Sequence, residues 1–283
     1  MGAAVSLGAG LCSGGGVNDS EDITFAIGSF RGCTAQNVTD KEQVEVRPPF
    51  VFEDGTSYIG DWVGAMRHGH GIQVGTDGSR YEGRWAIDSA QGRGRMEYGE
   101  GDVYAGEWQD NVRHGEGSYT HQDGTKYDGQ WVSDMRDGRG KEVRRDGTTY
   151  EGEFCNNQWS GSGTAMYTDG SQHTGSFLDS TPYGEGVRMW RDGSTYQGQW
   201  RGEEMRGCGS LLFADGRRYE GDFLDNSMHG QGSMTFTDGG RYEGQWVAGK
   251  QHGSGVFSAL GKTRKGIWED GEHLGWSDAA PEV

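Results

Sequence analysis

Four histidine–glycine pairs occupy one position of a repeating pattern and are the first candidates for metal chemistry. The pairs begin at His68, His114, His229 and His252. A metal ion needs several ligands that converge on one point, whereas these positions lie whole repeats apart. The other repeats carry Gln91, Asp137, Ser160, Tyr183 and Arg206 at that position. We interpret the histidines as surface residues beside turns and predict no metal site and no cofactor.

Two glycine-rich segments approach the spacing of a phosphate-binding loop, GxxxxGK[ST]. The segment from Gly244 to Lys250 has this spacing, but Gln251 follows in place of Ser or Thr. The segment from Gly255 to Thr263 has the threonine, but one residue too many separates its glycines. No helix is predicted after either segment to hold a phosphate. We therefore do not predict nucleotide binding.

Carboxylates are numerous enough to supply a catalytic pair, but their placement argues against one. Of the 43 acidic residues, eighteen fall in three places that recur with the repeat: two outward strand positions and the closing turns. A solvated acidic face explains this distribution, and no Ser/His/Asp or Cys/His arrangement is apparent. The sequence therefore predicts a protein that is not an enzyme and has no catalytic residues.

The first six residues, Met1 to Ser6, match the N-myristoylation pattern M-G-x-x-x-S. Gly2 would carry the acyl chain, and Cys12 is close enough in sequence to carry a second. A single myristoyl chain gives only marginal anchoring, and no basic cluster flanks the pattern to reinforce it. A chance match in a leader of small residues is the alternative interpretation.

Composition and charge narrow the class of protein. The chain has 283 residues with 54 Gly, 32 aromatic residues and only 32% hydrophobic residues, and its net charge is −17. Disordered chains are poor in aromatic residues, so we expect a thin fold built on aromatic side chains. Anionic lipid headgroups and nucleic-acid phosphates repel a surface of this charge. The four cysteines are scattered without a zinc spacing, which favours a reduced, intracellular protein.

The elements that position these residues follow from a 23-residue repeat. A tyrosine, replaced once by histidine, opens each unit: Tyr58, Tyr81, Tyr104, Tyr127, Tyr150, His173, Tyr196, Tyr219 and Tyr242. A glycine follows two residues later and a Trp or Phe four residues later. A Gly-x-Gly comes at eleven and thirteen residues after the tyrosine, and an Asp-Gly or Glu-Gly closes the first eight units. Nine units without insertion or deletion indicate a solenoid of identical elements.

Each repeat reads as one β-hairpin. Tyr-x-Gly-x-Trp alternates with period two, which places the three residues on one face of a strand. We expect a turn of about six residues after it, a second strand opened by Gly-x-Gly, and an Asp-Gly turn with glycine at positive φ. The glycines would let a ring lie against the bare backbone of the neighbouring strand. The predicted fold is all-β: an elongated, single-layer, twisted antiparallel sheet of tandem hairpins.

The unit resembles the MORN repeat (membrane occupation and recognition nexus). The segment Tyr104-Ala-Gly-Glu-Trp108, with Gly115-Glu-Gly117 and Asp123-Gly124 after it, is a close copy of that motif. The resemblance covers residues 58 to about 276. Three domain segments are predicted: a Gly/Ala-rich leader with a degenerate strand at 1–49, the repeat array at 50–263, and a partial tenth repeat with a cap and tail at 264–283.

The resemblance implies a scaffold, because stand-alone MORN arrays occur in ciliary radial spoke heads and in cytoskeletal scaffolds of protists. We predict a rod in a ciliary, flagellar or other cytoskeletal assembly that binds basic or helical segments of partner proteins, with a homodimer formed through its end strands. An N-myristoylated membrane-tethered adaptor is the alternative. Direct lipid binding by the repeats and nucleic-acid binding are not expected. The predicted partner-binding groove comprises Tyr58, Trp62, Tyr81, Trp85, Tyr104, Trp108, Tyr127, Trp131, Tyr150, Phe154, Tyr196, Trp200, Tyr219, Phe223, Tyr242 and Trp246.

Overall fold

A computed structural model describes residues 43–277, in which every regular element is a β-strand. The strands are β1 (Glu45–Val46), β2 (Phe50–Val51), β3 (Ser57–Val63), β4 (Met66–Val74), β5 (Arg80–Ala86), β6 (Ser89–Glu97), β7 (Val103–Gln109), β8 (Val112–Thr120), β9 (Lys126–Val132), β10 (Met135–Val143), β11 (Thr149–Cys155), β12 (Gln158–Met166), β13 (Gln172–Leu178), β14 (Thr181–Met189), β15 (Thr195–Arg201), β16 (Glu204–Leu212), β17 (Arg218–Leu224), β18 (Ser227–Thr235), β19 (Arg241–Val247), β20 (Lys250–Ala259), β21 (Lys262–Glu269) and β22 (Glu272–Trp276).

These strands form one open antiparallel sheet, which confirms the predicted fold class. From β3 to β22 each strand pairs with the strand before it and the strand after it, and both β1 and β2 pair with β3. At about 4.8 Å between neighbouring strands, β3 to β22 extend over about 90 Å.

The predicted boundaries at residues 49/50 and 263/264 remain predictions. Around them, β1 lies before residue 50, and β21 and β22 continue the ladder past residue 263. The segment 1–42 lies outside the described residues.

The first turn of each repeat is shorter than the sequence suggests. In place of about six residues, two connect the strands: Ile87 and Asp88 join β5 to β6, with φ of +49° and +63°. The second strand begins three residues before the first glycine of Gly-x-Gly, so that motif does not open it. Two central residues at positive φ match the twist of paired strands.

The Gly-x-Gly motif instead forms a bulge within the second strand. The register between β3 and β4 changes by two residues, from Gly60 opposite Gly71 to Asp61 opposite His68. Gly69 adopts a φ of +59° in the bulge, and the Asp61 carboxylate accepts a hydrogen bond from the His70 amide at 2.9 Å. The bulge explains why the first glycine recurs, since other residues rarely adopt that conformation.

The Asp-Gly turns that connect consecutive repeats are as predicted. Gly78 has a φ of +83°, and its amide donates to the carbonyl of Gly75. The Asp77 carboxylate accepts the Ser79 amide at 2.9 Å, which closes the turn through its own side chain.

The tyrosine ring occupies the space that two glycines leave open. A Cβ atom on Gly163 would lie 2.5 Å from Cε2 and Cζ of Tyr150, and one on Gly152 would lie 2.5 Å from the Cα of Gly163. The Tyr150 hydroxyl donates to the carbonyl oxygens of Glu153 and Ser160, at 2.9 and 3.1 Å. The ring therefore fills the glycine gap while its hydroxyl satisfies backbone carbonyls beside the bulge.

Ring contacts link the repeats into a continuous row. Tyr58 packs edge-to-face on Trp62 of its own repeat at 5.1 Å and on Trp85 of the next at 5.5 Å. The Trp85 indole also donates to the carbonyl of Gly71 in the preceding repeat. The Trp62 indole nitrogen is buried without a partner, and Pro48 occupies the position equivalent to Gly71 one repeat earlier.

We expect Gly163→Ala to lower the free energy of unfolding by about 2–3 kcal/mol, because overpacking forces a buried ring off its position. Urea unfolding followed by circular dichroism measures the change. The matched control is Gly275→Ala, because a Cβ at Gly275 meets no atom within 4 Å. Equal effects of the two substitutions would contradict the proposed role of the tyrosine ring.

Candidate functional site

The sixteen residues of the predicted groove lie on one face of the sheet, which we call the aromatic face, but they form its core. Each of the sixteen is 0–8% exposed. Burial raises the pKa of Tyr58 to about 12, so its phenol stays protonated. That these rings contact a partner remains a prediction, and the surface above them belongs to other residues.

A second layer of side chains covers the rings, and we call it the outer layer. It comes from positions nine, fifteen and seventeen residues after each tyrosine. The fifteenth position lies opposite the tyrosine across the hairpin, as Met96 lies opposite Tyr81. The predicted groove included none of these residues. The signal that would have identified this layer was the pairing, across the hairpin, of each tyrosine with the residue fifteen positions after it.

Arginine side chains cover rings of the aromatic face in repeats one, three and four, whereas repeat two carries Ala90, Met96 and Tyr98 at the outer-layer positions. The Arg67 guanidinium lies 4.2 Å from the ring centroid of Trp85, and Arg113 lies 4.5 Å from that of Trp131. Each is held by the following turn: Arg113 Nε donates to the Asp134 carboxylate at 2.9 Å, and the amide of Asp134 donates to the carbonyl of Arg113. These arginines cover the rings through cation–π contacts and connect consecutive repeats through hydrogen bonds.

Glu142 is a buried carboxylate in the centre of the outer layer. It is 5% exposed and accepts hydrogen bonds from Arg136 at 2.6 Å and from the Trp159 indole at 2.7 Å. Burial opposes ionisation, but Arg136, Trp159 and Arg144 outweigh it, so the pKa of Glu142 lies below its ordinary value. The charges of this cluster are partnered, and a cavity of about 370 Å³ opens beside it between Tyr119 and Trp131.

In repeat six, Arg188 still lies over the rings of Tyr167 and Trp200. From Trp190 to the end of repeat nine the outer layer is mostly apolar, and we call its half-buried side chains the apolar groove. Its members are Trp190, Leu211, Phe213, Met228, Phe236 and Phe257. A cavity of about 530 Å³ opens between Trp190 and Phe213. Because their rings and chains pack on the buried core while part of each stays exposed, they form a surface on which an apolar ligand can bind.

A row of aspartates lies beside the apolar groove, and we call it the aspartate rim: Asp192, Asp215 and Asp238. These residues come from the Asp-Gly turns. Hydrogen bonds from Ser194 lower the pKa of Asp192, and those from Arg217 lower the pKa of Asp215. Asp215 is also ion-paired with Arg217 at 2.8 Å, and that guanidinium lies 4.8 Å from the ring centroid of Phe213. The groove therefore combines apolar contacts with negative charge from Asp192 and Asp238 along one side.

His173 takes the place of tyrosine in repeat six and lacks its hydrogen bonds. Its side chain is fully buried, and neither ring nitrogen has a partner. The imidazole packs edge-to-face on Phe177 and Trp200 at 5.2 and 5.1 Å. Burial lowers its pKa to about 4, and Arg188 acts in the same direction. The histidine is thus held neutral in an aromatic core.

The predicted lipidation residues, Gly2 and Cys12, lie outside the described residues. Between residues 43 and 277 no group of three or more His, Cys, Asp or Glu side chains is placed to hold a metal ion. Nor does this part of the chain contain a helix that is long and apolar enough to span a membrane.

Comparison with known families identifies the repeat. The family model described as MORN repeat matches nine consecutive segments: 58–80, 81–103, 104–126, 127–149, 150–172, 173–195, 196–217, 219–241 and 242–259. The match includes unit six, in which His173 and Phe177 replace the usual Tyr and Trp. No curated protein matches the chain in sequence.

Several solved structures are similar to the chain. The TCP10 domain of Danio rerio CPAP in complex with a STIL peptide is 15% identical, with a TM-score of 0.44, covering 82% of this chain and 99% of that one. The TCP domain of Drosophila melanogaster SAS-4 in complex with a proline-rich motif of Ana2 is 14% identical, with a TM-score of 0.34, covering 60% and 86%. The TCP10c domain of D. melanogaster Sas-4 is 13% identical, with a TM-score of 0.33, covering 53% and 91%. Scores this low support no inference about binding.

We expect His173→Tyr to stabilise the protein more at pH 4 than at pH 7. Between about pH 6.5 and pH 4 the unfolded chain binds a proton at His173 that the folded chain excludes, so folding loses free energy as the pH falls. The substitution removes this loss, and the stability difference between variant and wild type should grow by about 3 kcal/mol across that range.

Urea unfolding of both proteins at several pH values measures this difference. The carboxylates are common to the two proteins, so their contributions cancel. The advantage that remains at pH 7 reports the restored tyrosine hydrogen bonds. A difference that is independent of pH would contradict a neutral, buried His173.

Proposed function

The chain belongs to the MORN-repeat family, and from its surface we propose that it is a non-enzymatic scaffold that binds partner proteins through the apolar groove. The observation that carries the proposal is the change in the outer layer along one continuous core. Arginines cover rings in repeats one, three, four and six, whereas repeats seven to nine carry half-exposed apolar side chains in a row that begins at Trp190. The sixteen buried aromatic residues form the core on which this outer layer packs.

The aspartate rim indicates the chemistry of the partner. A partner segment with an apolar face would bury that face against the apolar groove. Its basic flanks would lie beside Asp192 and Asp238, whereas Asp215 is already paired with Arg217. Opposite charges steer association and fix register, and the net charge of −17 attracts basic segments at long range. A helix laid in a groove is one common form of such a ligand.

We further propose that the scaffold works in a cytoskeletal assembly, with a cilium or flagellum and its radial spokes favoured. The support is family resemblance together with an uninterrupted array of nine repeats. A rigid sheet about 90 Å long, estimated from strand spacing, suits a spacer that holds partners apart.

Localisation of a C-terminally tagged protein in ciliated cells tests this setting. We expect it in the cytoskeletal fraction that resists detergent, and the tag leaves Gly2 free. Release by detergent, combined with loss of membrane association in the Gly2→Ala variant, would instead support the membrane-tethered alternative.

A synthetic amphipathic Leu/Lys peptide tests the groove directly. We expect it to bind, and we expect Leu211→Asp to weaken binding at least tenfold, because a charge in the groove must be desolvated. Calorimetric titration measures both affinities. A Leu/Glu peptide of the same pattern should bind much more weakly because the aspartate rim repels it.

The matched control is Val247→Asp, which places the same charge on the opposite face at a residue that is 42% exposed. Binding of the Leu/Lys peptide to this variant should equal that of the wild type. Equal loss in both variants, or equal binding of the two peptides, would contradict a specific groove.

A further inference from the structure

The side of the sheet opposite the aromatic face, which we call the polar face, carries two rows of side chains with an ordered charge pattern. From β6 to β11 the first row is Arg93, Glu107, Glu116, Gln130, Arg139 and Glu153. Over the same strands the second row is Arg95, Ala105, Ser118, Asp128, Lys141 and Glu151. Two shallow grooves, of about 590 and 740 Å³, lie along these rows over bare glycine backbone.

The pattern is complementary to its own reverse. In the first row, basic Arg93 and acidic Glu153 stand at opposite ends, and acidic Glu107 and basic Arg139 stand one strand further in. In the second row, Arg95 and Glu151 stand at opposite ends. No position in either row has the same charge as the position that replaces it when the row is reversed.

From this symmetry we propose that the polar face binds a second copy of this chain. The twofold axis lies parallel to the strands, between β8 and β9, so that β6 of one copy faces β11 of the other and β7 faces β10. Each copy then contributes Arg93 to Glu153, Arg139 to Glu107 and Arg95 to Glu151 of its mate, and each contact occurs twice. Such an interface is isologous, as in most homodimers.

Other arrangements bring like charges together. An axis along the array would place Arg93 against Arg95 and Glu151 against Glu153. If the axis moves by half a strand spacing onto β8, basic β6 of one copy faces basic β10 of the other. If it moves by the same distance onto β9, acidic β7 faces acidic β11. Because like charges in contact oppose association, the pattern selects one register.

The charges that the first row would use are available. Within residues 43–277 the side chains of Arg93, Glu107, Arg139 and Glu153 form no ion pair with another group. Three members of the second row are already engaged: Arg95 pairs with Glu97, and Lys141 pairs with Glu151 at 3.3 Å. Stacked sheets lie about 10 Å apart, a gap that Arg and Glu side chains fill from both sides.

The flanking strands permit the contact to extend. Beyond the six central strands, β4 and β5 would face β13 and β12. The polar-face residues of β12 and β13 are uncharged: Ser162, Thr164, Thr174 and Ser176. Arg84 of one copy therefore meets serine and threonine hydroxyls rather than another charge.

Sedimentation velocity at about 0.15 M salt, where the Debye length is about 8 Å, tests the proposal by charge exchange. The wild type should form dimers with rising concentration. The double variants Arg93→Glu/Arg95→Glu and Glu151→Arg/Glu153→Arg should each associate at least tenfold more weakly, since each sets like charges against each other. An equal mixture of the two variants should restore association, because every reversed group then meets its complement.

The control variant Glu220→Arg/Glu243→Arg changes the net charge by as much as Glu151→Arg/Glu153→Arg, on the same face but at β17 and β19, outside the overlap. It should associate like the wild type, and circular dichroism should show that all variants fold. Dimers that resist both double variants, a mixture that stays monomeric, or a wild type that is monomeric at every concentration would overturn the proposal. None of these results affects the peptide-binding test, which uses the opposite face.

Discussion

The structure depends on the contact between a tyrosine ring and two glycines on adjacent strands. The hydroxyl end of each ring lies where a Cβ atom on the second glycine would stand, and the hydroxyl bonds to carbonyl oxygens beside the bulge. A side chain at either glycine would displace the ring, and loss of the ring would leave a gap and unsatisfied carbonyls. Tyrosine and glycine therefore recur together, and a chain with 32% hydrophobic residues can still bury a continuous core.

This contact also gives the two faces of the sheet different roles, because only the aromatic face carries the buried core. Because tyrosine and tryptophan are buried on the aromatic face, the outer layer above them varies from repeat to repeat without disturbing the core. Arg113 covers Trp131, whereas Met205 stands at the equivalent position of repeat seven. The polar face has no core to build, so its charges can vary without disturbing the buried rings.

Much of the fold follows from residue spacing, and the exceptions have physical causes. Three features could be predicted from the sequence because each depends on local geometry: the 23-residue period, the shared face of Tyr58 and Trp62, and the Asp-Gly turns. The two-residue turns were not, because residues such as Ile87 seldom adopt positive φ. There the backbone is held by the neighbouring repeat: the Asp88 amide donates to the Arg67 carbonyl, and the Asp88 carboxylate accepts the Arg67 amide. The outer layer was missed because its position depends on cross-strand register, which the bulge shifts.

A double-mutant cycle on Tyr196 and Gly209 tests the central contact most directly, since the three atoms nearest to a Cβ on Gly209 would all belong to Tyr196, at 2.5–2.7 Å. The free energy of unfolding is measured for the wild type, Tyr196→Leu, Gly209→Ala and the double variant. A leucine ends short of the glycine, so Gly209→Ala should cost at least about 1 kcal/mol less in the Tyr196→Leu background than in the wild type. Additive effects of the two substitutions would contradict the account.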